Sequence, residues 1–170
     1  MKPTGLFYSF NTRHTSAIAE KIAKELGESN VEKINIETVD PETFQAYDSL
    51  ILGVSTWFDG ELPNYWDEFL PAMEDMDFTG KTVALFGPAD QVGYPQNFAD
   101  AIGILADYLK KRGATLVGFF PAEGYRFLRS RALEGDHFMG LVLDDGNQPE
   151  LTEKRIREWC LALKKSFIKS

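Results

Sequence analysis

The chain has 170 residues, 44% of them hydrophobic, 13% aromatic and 26% charged, which suits one globular domain over residues 1–170 with a core that needs no staples. Asp and Glu number 26 against 18 Lys and Arg, a formal net charge of -8; this argues against nucleic acid and anionic membrane surfaces and for a basic protein partner. One cysteine, Cys160, excludes an intramolecular disulfide, and two histidines, His14 and His137, argue against a Cys- or His-built metal centre.

Apolar runs alternate with helical patterns along the chain. Thr4 to Ser9 reads as a buried strand. His14 to Leu26 follows as a helix, with Ile18, Ile22 and Leu26 four apart and Gly27 as its stop. Val31 to Ile36 is a short alternating strand, and Leu50 to Val54 a third. Trp66 to Met73 reads as an amphipathic helix after Pro63. Thr82 to Gly87 is a fourth strand. Phe98 to Arg112 is a helix stopped at Gly113, and Thr115 to Phe120 a fifth strand. Residues 120 to 140 are polar and Arg-rich without helical period, and lead back to an apolar run from Phe138 to Leu143. This stretch reads as an insertion splitting the fifth strand. Thr152 to Phe167 is the last helix, with Ile156, Trp159, Leu163 and Phe167 on one face. Cys160, beside Trp159, reads as packing.

Such alternation predicts a doubly wound α/β fold, a three-layer sandwich with a parallel five-stranded sheet covered by helices on both faces. No apolar run reaches about 20 residues, so no membrane span is expected. The N-terminus lacks the charged and apolar regions of a signal peptide, which points to the cytoplasm. The acids are unevenly placed. Between Lys33 and Lys81 there is no Lys or Arg, while Glu37, Asp40, Glu42, Asp48, Asp59, Glu61, Asp67, Glu68, Glu74, Asp75 and Asp77 fall in that stretch. Bases gather around Arg126 to Arg131 and from Lys154 to Lys169. The acidic stretch is either a solvated face or a docking surface for a cationic partner.

Ligands of open parallel sheets bind outside the carboxyl ends of the strands, where strand order reverses. Three loops therefore carry the candidate site. Ser9, Phe10, Asn11, Thr12, Arg13, His14 and Thr15 lead into a helix N-terminus, where unpaired N–H groups and the helix dipole favour an anion. Hydroxyls, an amide and the Arg13 charge suit one phosphate. The second loop holds Ser55, Thr56, Trp57, Phe58, Asp59 and Gly60. The third follows Gly87 with Pro88, Ala89, Asp90, Gln91, Val92, Gly93 and Tyr94. Aromatic residues on two converging loops suggest a flat π system held between them. Backbone amides at Ala89, Asp90 and Gln91 are placed to meet a heterocycle edge. Gly60 and Gly93 permit backbone conformations that other residues avoid.

In these loops the sequence resembles the flavodoxins, specifically the long-chain type. The resemblance runs through Gly5-Leu6-Phe7-Tyr8, Ser55-Thr56-Trp57, Gly60-Glu61-Leu62, Asp77-Phe78-Thr79-Gly80-Lys81 and Leu85-Phe86-Gly87. It continues through Asp90-Gln91-Val92-Gly93-Tyr94, Arg112-Gly113-Ala114-Thr115, Gly124-Tyr125 and Gln148-Pro149-Glu150-Leu151-Thr152. It implies a flavodoxin-like sheet of order 2-1-3-4-5 and a low-potential one-electron carrier with non-covalently bound FMN, not an enzyme. It also implies a monomer whose partners are flavin or iron–sulfur redox proteins with basic docking surfaces. The loop at 10–15 would take the phosphate, Trp57 and Tyr94 the two flavin faces, the 58–59 peptide flavin N5, and Asp90 the pyrimidine edge.

The phosphate loop departs from the family pattern. Phe10 replaces a hydroxyl donor and Arg13 replaces a glycine; Thr12 and Thr15 stay in register. Either Arg13 compensates with charge-assisted bonds, or it points outward while Phe10 crowds the pocket. Pro88 removes an N–H, Phe58-Asp59 puts bulk and charge at the redox-sensitive turn, and Gly146 stands where an acid is common. Two other functions stay open from the residues alone. One is an FMN-dependent small-molecule or quinone reductase; the other is a cofactor-poor flavodoxin-like binding module.

Overall fold

The chain is described from a computed structural model that covers residues 3–167; Lys169 of the C-terminal basic run lies outside the described residues. Strand β1 (Thr4–Tyr8) leads into helix α1 (His14–Leu26), a 3-10 turn at Glu28–Asn30 and strand β2 (Val31–Asn35). A short helix α2 (Pro41–Gln45) precedes β3 (Ser49–Gly53), α3 (Asn64–Met73), β4 (Thr82–Pro88), α4 (Asp100–Lys111) and β5 (Thr115–Val117). The small strands β6 (Phe120–Pro121), β7 (Leu133–Glu134) and β8 (His137–Phe138) come before β9 (Leu141–Leu143) and helix α5 (Pro149–Phe167).

The main sheet is parallel with order β2-β1-β3-β4-β5, as the strand–helix alternation predicts. The central strands β1, β3 and β4 are apolar on both faces because both are covered. In β1, Phe7 belongs to the core under α3 and α4, while Leu6 and Tyr8 belong to the core under α1 and α5. Trp66 and Trp159, both buried, are the largest side chains of the two layers. Each indole N–H donates to a backbone carbonyl, Trp66 to Gly53 at 3.0 Å and Trp159 to Gly118 at 2.7 Å. Among the described residues no helix is long and apolar enough to cross a membrane.

The fifth strand is split. β5 pairs with the first half of β4, through Thr82↔Thr115 to Ala84↔Val117. β9 pairs with the second half, through Phe86↔Leu141 to Pro88↔Leu143. The predicted run to Phe120 stops at Val117 because Gly118, at φ +74°, turns the chain out of the sheet. The excursion forms its own antiparallel sheet of order β6-β8-β7. Two elements escape the periodic reading for want of length, the 3-10 turn and α2. Asp40 caps α2 by accepting from Thr43 N at 2.8 Å. Helix α5 begins three residues before Thr152, with Pro149 in its first turn.

Lys81 ends the base-free stretch and is turned inward. Its side chain is buried and donates to the Gln45 and Tyr47 carbonyls at 2.6 and 2.7 Å, at the C-terminal end of α2. Its ammonium also stands 3.8 Å from the exposed Asp48 carboxylate of the acidic stretch.

Two predictions concern the packing. A Cβ at Gly103, inside α4, would sit 2.0 Å from the Arg131 carbonyl oxygen. Alanine normally gains about 1 kcal/mol over glycine in a helix, but overpacking against fixed backbone costs about 1–3 kcal/mol or more. Gly103→Ala is therefore expected to lower the urea midpoint; a higher midpoint would show that the insertion yields freely. Cys160 is buried, and desolvation ahead of the Glu25 carboxylate pushes its thiol up to about 12. The folded protein is expected to resist iodoacetamide at pH 8, with labelling only on unfolding. Fast labelling of the native state would contradict this.

Candidate functional site

A cleft of about 300 Å³ opens at the carboxyl ends of the central strands. His14 of α1, Ser55 and Thr56 after β3, and Pro88, Ala89, Asp90 and Tyr94 at the end of β4 all line it. The three loops singled out in the sequence thus converge, but not with all their residues.

The first loop is knitted together internally. Ser9, almost fully buried, accepts at its carbonyl from Thr12 N at 3.2 Å, Thr12 Oγ1 at 2.7 Å and Ser16 Oγ at 3.2 Å. The Ser9 hydroxyl donates to the Glu37 carboxylate, and Asn11 Nδ2 donates to the same oxygen at 2.9 Å. Thr15 is buried under the first turn of α1. Phe10 does not crowd the cleft: its half-exposed ring leans on Tyr8, centroids 5.0 Å apart, and lines a separate groove with Ser16, Glu20 and Lys33. Arg13 is exposed at the N-cap of α1, and its guanidinium has no hydrogen-bond or ion-pair partner among the described residues. The N–H groups of His14, Thr15 and Ser16 likewise have no acceptor there; the first-turn bond is Ala17 N to the Arg13 carbonyl, 3.2 Å. An unpaired cation and three unpaired amides at a helix N-terminus form an anion-attracting group.

The second loop is a tight hairpin. Trp57 and Glu61 exchange backbone bonds, Trp57 N to Glu61 O at 2.8 Å and Glu61 N to Trp57 O at 2.7 Å. Phe58 and Gly60 take positive φ, +49° and +91°. The Phe58 ring is exposed, as is Asp59. A non-glycine residue in this region stores about 1 kcal/mol of strain or more. Gly60 is also needed for space, since a Cβ there would meet Asp100 Oδ2 at 2.6 Å. Trp57 does not line the cleft; its half-buried ring stands edge-on to Tyr65 and Phe58, centroids 5.9 and 6.1 Å away. Thr56 faces the cleft while its hydroxyl accepts from Ala101 N at 3.1 Å, satisfying the first turn of α4.

The third loop corrects the expected set of amides. Ala89 N donates to the Leu143 carbonyl at 2.9 Å, and Gln91 N to Asp144 Oδ2 at 2.9 Å. Only Asp90 N–H of the three has no acceptor among the described residues. The Asp90 carboxylate holds the turn, accepting from Val92 N at 3.1 Å, Gly93 N at 2.8 Å and Asn147 Nδ2 at 2.8 Å. The Gly93 amide and then Asn147 keep this carboxyl below the usual range. Gly93 serves by letting that carboxylate approach rather than by a positive φ. Gly87 lies inside β4, packed against the Val54 carbonyl, and does not line the cleft.

Two further segments complete the walls: Asn97, Phe98 and Ala99 before α4, and Leu143 to Gly146 after β9. Gly146 had a sequence signal in its departure from the family pattern. Asp144, buried, accepts from Gln91 N and from Asn147 N and Nδ2. It fastens the β4 loop to the strand that returns after the insertion. Nothing in its local sequence marks it, because its partner is 53 residues away.

The flavodoxin family profile matches residues 6–159. Flavodoxin 1 of Escherichia coli strain K12 is 44% identical over 160 residues, spanning 94% of this chain and 91% of that protein. The flavodoxin of Synechocystis sp. is 46% identical over 165 residues, 96% of this chain and 97% of that one. Among solved structures, Fusobacterium nucleatum flavodoxin bound to flavin mononucleotide superposes with a TM-score of 0.91 at 35% identity, covering 98% of this chain and 99% of that chain. Oxidised flavodoxin 1 of Bacillus cereus superposes at 0.71 with 28% identity, covering 96% and 98%. On sequence and fold together, this chain belongs to the flavodoxin family.

Proposed function

We propose that the cleft holds FMN, with the phosphate at the β1–α1 loop and the flavin ring between the loops after β3 and β4. The protein is a one-electron carrier and not an enzyme, as flavodoxins are. The residues fit the cofactor. The observation that carries the reading is that an apolar-walled cleft reaches, at His14, the N-terminus of α1 with its cation and free amides. Arg13 and the unpartnered amides of residues 14–16 attract an anion. Pro88, Ala89 and Phe98 offer an apolar wall, and Asp90 N–H offers one donor to a ring edge. A pocket of this size with few placed polar groups suits a planar cofactor.

FMN supplies low-potential electron transfer when bound; the chain contributes position and electrostatics. Thr12 and Ser16 keep the loop folded on Ser9 O, while Arg13 supplies the charge. Tyr94, half-exposed at the mouth, offers a flat face. Asp90, Asp144 and Asp145 line the cleft with carboxylates that would disfavour added negative charge on a bound ring; each 1.4 kcal/mol of such disfavour lowers a one-electron potential by about 59 mV. The surrounding acids favour flavin or iron–sulfur partners with basic docking surfaces. One domain, acting as a monomer in the cytoplasm, suffices for this role.

The direct test is the visible spectrum of the purified protein and a titration of the apoprotein with FMN. Bound-flavin bands and saturable binding are expected; no binding would overturn the reading. Arg13→Gly is expected to weaken FMN about 10–150-fold, the loss of one hydrogen bond to a charged group at about 1.5–3 kcal/mol, and to flatten the salt dependence. Riboflavin affinity should not change. An unchanged FMN affinity would leave Arg13 without a role.

A second variant addresses the strained turn. In this proposal the 58–59 peptide turns on reduction, and Phe58 resists through its left-handed backbone. Phe58→Gly is expected to change the gap between the two one-electron potentials by about 30–60 mV, the equivalent of about 1 kcal/mol. A redox titration with the gap unmoved would show that the side chain at 58 is irrelevant to the turn.

A further inference from the structure

Glu37, just beyond β2, reaches into the loop assigned to the phosphate. Its carboxylate accepts from the Ser9 hydroxyl and from Asn11 Nδ2 at 2.9 Å. Asn35 Oδ1 bridges the two segments, accepting from Phe10 N at 3.3 Å and Glu37 N at 3.1 Å. Asn11 N donates in turn to Ser9 Oγ at 3.2 Å. The loop therefore already holds an anion of its own, and two of its side-chain donors are taken.

We propose that Glu37 is a specificity-determining residue that weakens the contribution of the phosphate to cofactor binding, so that FMN is preferred over riboflavin less strongly than the loop alone would allow. This rests on the reading of the loop at 9–15 as the phosphate site. Two effects oppose each other. Glu37 ties the loop down, which favours any ligand that needs it ordered. It also places a negative charge within a Debye length of the incoming dianion and competes with it for the Ser9 and Asn11 donors. Repulsion wins because the loop has other ties. Thr12 N, Thr12 Oγ1 and Ser16 Oγ all bond Ser9 O, and Phe10 N bonds Asn35, without Glu37. Removing the charge leaves that frame standing.

The test is titration of the apoproteins of the wild type, Glu37→Gln and Glu37→Ala with FMN and with riboflavin, at low salt and at 1 M salt. Glu37 is exposed, and circular dichroism checks that each variant folds. Both variants are expected to bind FMN about 3–10-fold more tightly at low salt, with the gain shrinking at 1 M, where the Debye length is only about 3 Å. Riboflavin should stay within about twofold, since it brings no phosphate charge. If the wild type prefers FMN but neither variant tightens it, this inference fails and the phosphate reading survives. If the wild type binds the two flavins equally, or binds neither, the phosphate reading fails and this inference with it.

Discussion

The site depends on one piece of strand pairing, β9 against the end of β4. Phe86, Gly87 and Pro88 pair with Leu141, Val142 and Leu143, after an insertion of more than twenty residues has left the sheet and returned. That register brings Leu143 O to Ala89 N and Asp144 Oδ2 to Gln91 N. The loop after β4 is thereby pinned from the far side. The insertion adds its own ties: Arg126 N donates to the Gln91 side chain, and Leu128 N and Arg129 N donate to Pro95 O at 2.7 and 2.9 Å. Strand order alone places the cleft between the central strands; the returning strand makes its wall rigid.

The same pinning explains why free backbone donors are scarce in the loop after β4. Two of three candidate amides are used by the fold, which leaves Asp90 N–H. Rigidity and binding capacity trade against each other here, because each buried N–H must be paired by something. At the N-terminus of α1 the balance is reversed. The amides of residues 14–16 and the Arg13 guanidinium have no partner among the described residues, while the neighbouring side chains of Ser9 and Asn11 are occupied by Glu37. Charge is thus divided within a few residues: an open cationic helix end, the Glu37 carboxylate beside it, and Asp90, Asp144 and Asp145 along the cleft.

Much of the architecture is legible in the sequence because it is written in local periodicity. Ile18, Ile22 and Leu26 declare the buried face of α1, and the apolar runs at 4–8, 50–53 and 82–87 declare strands covered on both sides. The split of the fifth strand is legible as an interruption of apolar character between Phe120 and Phe138. The short α2 is not, because five residues are fewer than two helical turns. The candidate loops are legible from their position after strands and from their residue types. Which of their atoms remain free is not. Phe10 rests on Tyr8, Trp57 stands edge-on to Tyr65, and Gly87 is pressed against Val54; each outcome is decided by a neighbour on another element.

The sequence by itself determined the alternation of strands and helices, the family, the acidic charge and the three loops at which a ligand meets the sheet. These follow from residue type and spacing, which act over a few positions along the chain. Tertiary structure decided what those loops have left to offer. Burial of Lys81 commits its ammonium to backbone carbonyls at the end of α2. The Asp144–Gln91 bond closes the β4 loop across 53 residues, and Glu37 reaches the β1–α1 loop from the segment after β2. The physical reason is that hydrogen-bond capacity and surface charge are properties of atoms in space. Each donor taken by a distant partner is unavailable to a ligand, however plainly its residue type advertises it.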